Sequence, residues 1–219
     1  MTEHVDADGL WCQVLAIRED ASAARPRPAL FLDRDGVIVD EVEYLHRPDN
    51  VRLVPGAAAV IAAANRAGVP VVAVTNQSGI GRGLYGWREF AATEARIGDE
   101  LAAHGARLDM VLACPYHAEG KLPYRHPAHP CRKPRPGMLV RAAARLHLDL
   151  AHSWIVGDRA ADLEAGRAAG LAGGVHVLTG LGPAERAAAR ALAAPEFQVR
   201  LGDSVSAAID LLPLLKAAD

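Results

Sequence analysis

Six short apolar runs recur along this 219-residue chain, separated by Ala-rich helical stretches, and that alternation limits the fold more than any other feature. The runs cover residues 29–33, 69–75, 108–114, 153–157, 174–178 and, most weakly, 197–201. Each is rich in Val, Ile or Leu on both faces, the pattern of strands covered on both sides in a parallel sheet. Helices are expected at about 56–67, 87–104, 137–147, 160–169, 183–193 and 203–215. Pro136 and Pro183 stand where first helical turns accept proline, and Asp203 with Ser204 and Ser206 suits a helix start. The alternation predicts an α/β fold: a doubly wound parallel sheet with helices on both faces. Residues 1–28, ending in Arg25-Pro26-Arg27-Pro28, read as an N-terminal extension, and residues 29–219 as one domain.

Composition narrows the function. With 51% apolar and 23% charged residues and a net charge of −2, the chain has no global pull toward nucleic acid or an anionic membrane. Asn65 and Arg66 interrupt the best candidate for a bilayer span, and the acidic start Met1-Thr2-Glu3-His4-Val5-Asp6 lacks the apolar core of a secretory signal. Three cysteines, at 12, 114 and 131, are too few for a disulfide framework. The expectation is a cytoplasmic, monomeric enzyme with reduced thiols, acting on a small molecule.

The chemistry begins at Asp33-Arg34-Asp35-Gly36, directly behind the apolar run Ala29-Leu30-Phe31-Leu32. Ligands of open α/β sheets collect at the carboxyl ends of strands. Two carboxylates held close are costly unless a cation joins them, so the pair reads as a Mg²⁺ site with a carboxylate nucleophile. Asp and Gly also end strands in plain turns, so the pair alone does not decide. Three more strand ends or their loops carry polar residues of a matching kind: Thr75-Asn76-Gln77-Ser78, Arg132-Lys133, and Gly157-Asp158 with Asp162 four residues on. Lys is scarce, at 121, 133 and 216 only, so Lys133 stands out. Residues 114–136 break the strand–helix rhythm as a long loop dense in Pro and His, the kind of loop that usually serves function.

This order of motifs resembles the haloacid dehalogenase superfamily of phosphohydrolases. In finer detail, Phe31 to Gly36, Tyr44, Pro55-Gly56, Thr75 to Ile80, Cys114-Pro115-Tyr116-His117 and Arg132 to Met138 resemble the group that holds D-glycero-D-manno-heptose 1,7-bisphosphate phosphatases and histidinol phosphatases. The resemblance covers about residues 29–215. It implies a Mg²⁺-dependent phosphatase without a separate cap domain, working on a sugar bisphosphate, with histidinol phosphate as the alternative substrate and a silent phosphate-binding module as a third reading. It implies Asp33 as nucleophile, Asp35 as acid/base, and Thr75 and Lys133 as holders of the phosphoryl oxygens. Asp33, Asp158 and the Asp35 carbonyl would hold the metal, and Asp162 would orient Lys133 or a metal-bound water. Glu41, Tyr44, Asn76, Gln77, Ser78, Arg132 and Arg159 would face the substrate, with Arg132 placed for a second phosphate.

Relatives often carry a structural zinc on a Cys-x-His…Cys-x-Cys loop. Here Tyr116 takes a ligand place and His129-Pro130-Cys131 replaces the second pair. Cys114, His117, His129 and Cys131 would make a Cys₂His₂ set; the alternative is that zinc is lost and prolines hold the loop. A separate pattern, Gly81-Arg82-Gly83-Leu84-Tyr85-Gly86, fits a dinucleotide fingerprint by letter only, because residues 76–80 part it from its strand. These glycines are expected to shape a substrate loop.

Overall fold

The computed structural model describes residues 4–16 and 25–216. Seven strands form one sheet: β1 (Trp11–Val14), β2 (Leu30–Leu32), β3 (Val71–Asn76), β4 (Met110–Cys114), β5 (Trp154–Gly157), β6 (Gly173–His176) and β7 (Gln198–Leu201). Their spatial order is β1-β4-β3-β2-β5-β6-β7. All neighbours run parallel except β1, which pairs antiparallel with β4. The chain winds outward from β2 through β3 to β4, then returns to β5 on the other side of β2 and winds out again. The direction reverses at β2, and the crevice above such a reversal is where α/β sheets bind ligands.

The period-2 alternation of the strands splits the core into two layers. Leu30, Leu32, Val71, Ala73, Val111 and Val156 face one layer, together with α1 (Ala57–Arg66) and α3 (Trp87–Ala103). Phe31, Val72, Val74, Met110, Leu112 and Ile155 face the other, with α4 (Gly137–Leu146), α5 (Ala160–Ala168) and α6 (Gly182–Arg190). The predicted doubly wound sheet, its six strands and five of its helices are present.

Three elements differ from the sequence expectation. The N-terminal extension supplies β1: Trp11 is buried and packs 5.8 Å from Trp87 and 5.2 Å from Phe90, ring centre to ring centre. Behind β1, Asp6 and Asp8 grip Arg141 of α4, and the Tyr116 hydroxyl donates to the Asp8 carbonyl at 2.8 Å. The second difference is α2 (Ser78–Arg82), a short helix inside the loop expected at 76–85. Its Gly81 carbonyl accepts from the Lys121 N–H at 2.7 Å, tying that loop to 114–136. The third is the end of the chain. The helix expected over 203–215 is a 3₁₀ turn (Val205–Ala207), α7 (Ala208–Leu211) and a second 3₁₀ turn (Pro213–Leu215). Leu212 is extended because the ring of Pro213 disfavours the helical conformation before it. Among the described residues, no helix is long and apolar enough to cross a membrane.

Candidate active site

The crevice at the carboxyl end of β2 gathers the polar strand ends. Lys133, only 3% exposed, anchors them: its Nζ donates to Asp33 Oδ1 at 2.8 Å, Asp162 Oδ1 at 2.7 Å and the Val74 carbonyl at 2.7 Å. Three acceptors satisfy all three ammonium protons. Burial would lower the Lys133 pKa, but Asp162 and Asp33 outweigh it and raise it, so the side chain stays cationic. Asn76 fixes this lysine from β3, donating to the Lys133 carbonyl at 3.0 Å and accepting its N–H at 3.1 Å. Its amide thus serves Lys133, and the residue also lines the cleft where the sequence reading expected substrate. Asp162, in the first turn of α5, also accepts the Arg159 N–H at 3.1 Å.

Asp33, Asp158 and Asp162 each bring a carboxylate oxygen within 4.8 Å of the others. Asp158 Oδ2 accepts the Leu181 N–H at 2.8 Å, while its Oδ1 is buried with no partner. Gly36 and Gly180, both at positive φ, let the backbone close around this carboxylate; a Cβ would come within 2.7 Å and 2.3 Å of Oδ2. Burial, then repulsion from Asp162, pushes Asp33 well above the usual carboxylate range. The same two causes push Asp158 up to about 6. Fully ionised, three carboxylates against one lysine would carry −2, which their raised values resist without a cation; the all-oxygen donor set with an unsatisfied buried oxygen fits a hard divalent cation such as Mg²⁺.

The carboxylate of Asp35 is not part of this cluster. It turns toward Arg34, whose Nε lies 3.2 Å and 3.1 Å from its two oxygens and whose Nη2 lies 2.8 Å from Oδ1. Gln77 Nε2 donates to Asp35 Oδ2 at 3.0 Å and to Thr75 Oγ1 at 2.8 Å. The Tyr85 hydroxyl donates to Gln77 Oε1, which fixes the amide with its NH₂ toward Asp35. Gln77 thus supports Asp35 and Thr75, and though 3% exposed it lines the cleft where the sequence reading expected substrate.

A cleft of about 390 Å³ opens above these groups, walled by Glu41, Tyr44, Ser78, Arg132 and Arg159 among others. Tyr44 holds φ at 56°, a region that bulky residues rarely adopt. Burial, then the charges of Asp35 and Asp158, pushes Glu41 up to about 7. Arg132 is half-buried and donates to the Tyr116 carbonyl at 3.0 Å.

The four candidate zinc ligands are not brought together; among the described residues, the one cluster with metal-ligand spacing is the Asp33, Asp158, Asp162 set. His117 lies 3.3 Å from Arg82, and His129 stacks on Tyr116 with ring centres 3.8 Å apart. Cys114 and Cys131 are buried thiols, and burial pushes Cys114 up to about 12. Tyr116 fills the ligand place with a ring, and the loop is held by stacking and by the N-terminal segment instead.

Sequence reasoning overlooked Arg34, Tyr85 and Glu94 as members of the site, and the turn after β6 that brings the Leu181 N–H to Asp158. Glu94 gave a readable signal: it shares the apolar stripe of Phe90, Ile97 and Leu101 on α3, where a charge needs a partner.

Comparison with known proteins agrees with this geometry. A family model described as HAD-hydrolase-like matches residues 130–204. The D-glycero-β-D-manno-heptose-1,7-bisphosphate 7-phosphatase of Mesorhizobium japonicum is 56% identical over 147 residues, 67% of this chain and 68% of that protein. The enzyme of the same name from Escherichia coli K12 is 38% identical over 157 residues, 72% of this chain and 82% of its own. Among solved structures, a HAD-like phosphatase from Mesorhizobium loti superposes with a TM-score of 0.83 at 44% identity, covering 98% of this chain and 95% of that one. A D,D-heptose 1,7-bisphosphate phosphatase from B. bronchiseptica, complexed with magnesium and phosphate, gives a TM-score of 0.73 at 32% identity, covering 84% and 97%.

Proposed function

The chain belongs to the haloacid dehalogenase-like hydrolases, in the group of the heptose bisphosphate phosphatases, and from that premise we propose that it removes the 7-phosphate of D-glycero-D-manno-heptose 1,7-bisphosphate. The observation that carries the reading is the buried Lys133 bridge between Asp33 and Asp162 beside Asp158, at the floor of a cleft walled by Arg132 and Arg159. A phosphate-binding module has no use for a buried nucleophile paired in this way.

A carboxylate oxygen of Asp33 attacks phosphorus, and the bond from phosphorus to the sugar oxygen breaks. Asp35 gives that oxygen a proton. Water then attacks the aspartyl-phosphate, Asp35 takes its proton, and the phosphorus–Asp33 bond breaks to release inorganic phosphate. Thr75 holds one phosphoryl oxygen, and Lys133 exchanges its bond to Asp33 for another as Asp33 attacks; the charge on these oxygens is spread in the transition state. Asp33, Asp158 and the Asp35 main-chain carbonyl would hold Mg²⁺, which supplies positive charge opposite the phosphoryl group. Arg132, with Arg159 also lining the cleft, takes the phosphate that is not cleaved. Every residue invoked lies in one chain, so a monomer suffices, and zinc has no part in the scheme.

The test is a steady-state panel of the heptose bisphosphate, other sugar phosphates and histidinol phosphate with Mg²⁺, with Asp33→Asn as control. The heptose bisphosphate should have the highest kcat/KM, and Asp33→Asn should lose turnover and phosphate trapping on the protein while staying folded. Preference for histidinol phosphate would overturn the substrate. Retained turnover in Asp33→Asn would overturn the mechanism.

A further inference from the structure

Arg34 is 1% exposed and serves two carboxylates at once. Its Nε and Nη2 clasp Asp35, and its Nη1 donates to Glu94 Oε1 at 2.9 Å, with Glu94 itself buried on α3. The guanidinium also rides over the Phe90 ring, 5.4 Å from its centre. Neutralising a buried arginine needs one carboxylate, and Asp35 already provides it. A second buried carboxylate leaves the group with a net negative charge beside three aspartates, and burial followed by Asp35 works against the ionised form of Glu94, offset by Arg34. The cost is understandable if the fork of Arg34 must be aimed. Gln77 holds one Asp35 oxygen and the Leu45 carbonyl lies 3.5 Å from Arg34 Nη2, but neither fixes the plane of the guanidinium fork. Anchored to a helix sixty residues away, Arg34 becomes a fixed bracket for both Asp35 oxygens.

We propose that Glu94 is a positioning residue for the acid/base step: through Arg34 it holds the Asp35 carboxylate at the angle from which it reaches the leaving-group oxygen. Glu94 touches neither substrate nor metal. It acts on the steps that need Asp35: proton transfer to a poor leaving group, and removal of a proton from the attacking water, which every substrate shares. The inference rests on the Asp35 assignment made under the proposed function.

The test compares Glu94→Leu, Glu94→Gln and Arg34→Lys on a sugar phosphate and on p-nitrophenyl phosphate, whose leaving group needs little protonation. Glu94→Leu should lower kcat for the sugar phosphate on the order of ten- to a hundredfold, the scale of a misplaced catalytic group, with KM within about twofold. In kcat/KM, which reports formation of the aspartyl-phosphate and not its hydrolysis, the loss with p-nitrophenyl phosphate should be several-fold smaller than with the sugar phosphate. Glu94→Gln, which can still accept from Arg34, should retain most of the rate. Arg34→Lys keeps a buried cation but loses the fork, and should repeat the Glu94→Leu pattern; it decides the matter if Glu94→Leu does not fold. In an Asp35→Asn background, Glu94→Leu should cost nothing further. Equal losses of kcat/KM on both substrates, or a loss that adds in full to Asp35→Asn, would overturn the positioning role while leaving the phosphatase reading intact. If Asp35→Asn itself loses both substrates equally, the Asp35 assignment fails first.

Discussion

Lys133 Nζ sits 2.8 Å from Asp33 Oδ1, so the cation proposed to stabilise the transferring phosphoryl group would also aim the proposed nucleophile. The same ammonium holds Asp162 at 2.7 Å. Lys133→Ala should therefore cut kcat for mono- and bisphosphates alike, by about 10²–10³-fold, the scale of losing one preorganised donor. It should also destabilise the fold, because it strands two buried carboxylates, a loss of about 3–5 kcal/mol for a broken buried pair. Steady-state rates on the folded fraction, read beside a thermal melt, separate the two effects. A changed KM for bisphosphate alone would contradict the assignment.

Arg132 is expected to behave in the opposite way. If it binds the uncleaved phosphate, Arg132→Ala should raise KM for the bisphosphate roughly ten- to a hundredfold, as removal of a charge-assisted hydrogen bond worth about 1.5–3 kcal/mol implies. A monophosphate has no group at that place and should lose much less. Equal weakening of both would mean that Arg132, through its bond to the Tyr116 carbonyl, serves the loop.

Asp158 carries the metal prediction. A ligand that binds only the folded state raises stability by about 2.7 kcal/mol at a hundredfold excess over its Kd. For a chain of this size that is roughly 5–10 °C in Tm. Mg²⁺ should give such a rise in the parent, EDTA should remove it, and Asp158→Asn should abolish it. A full Mg²⁺-dependent rise in Asp158→Asn would move the site elsewhere.

Much of this was legible in the chain. Asp33, Asp35, Thr75, Lys133 and Asp158 share one crevice as the sequence predicts, because strand ends in a doubly wound sheet lie along one edge. Arg34 was missed because nothing local says that an arginine between two aspartates folds back into the core. β1 was missed because a four-residue edge strand beyond a proline-rich segment buries too little to leave a period-2 pattern. The zinc set was weighed on spacing, but Tyr116 changes a ligand place into a stacking place, and stacking partners cannot be read from spacing.

That same N-terminal segment gives a stability prediction. Arg141 joins α4 to Asp6 and Asp8, and Tyr116 reaches Asp8 from the long loop. Arg141→Ala should loosen residues 4–14 and the loop together. Faster hydrogen exchange in both, with a melt lowered by only a few degrees, is the expected result. Unchanged exchange in the loop would show that the segment is a passive edge.

His176 should tilt the stability curve on the acid side. It is fully buried at the end of β6, and neither ring nitrogen has a hydrogen-bond partner. Burial, then the nearby Arg186, lowers its pKa from the ordinary value of 6.5. Below that value the unfolded chain binds a proton that the folded chain refuses, so the folded state loses stability as pH falls. Asp158 works in reverse: its folded value of about 6 lies above the unfolded one, so its protonation favours the folded state as pH falls. Asp33 and Glu41, also raised, act in the same sense as Asp158, so the net curve of the parent mixes several groups. The clean quantity is the difference between parent and His176→Leu, measured as urea midpoints at pH 8 and pH 5.5 in EDTA. Whatever packing the substitution costs is common to both pH values. The parent should lose more stability than the variant between them, and an equal loss would show that His176 finds a partner for its proton in the folded state.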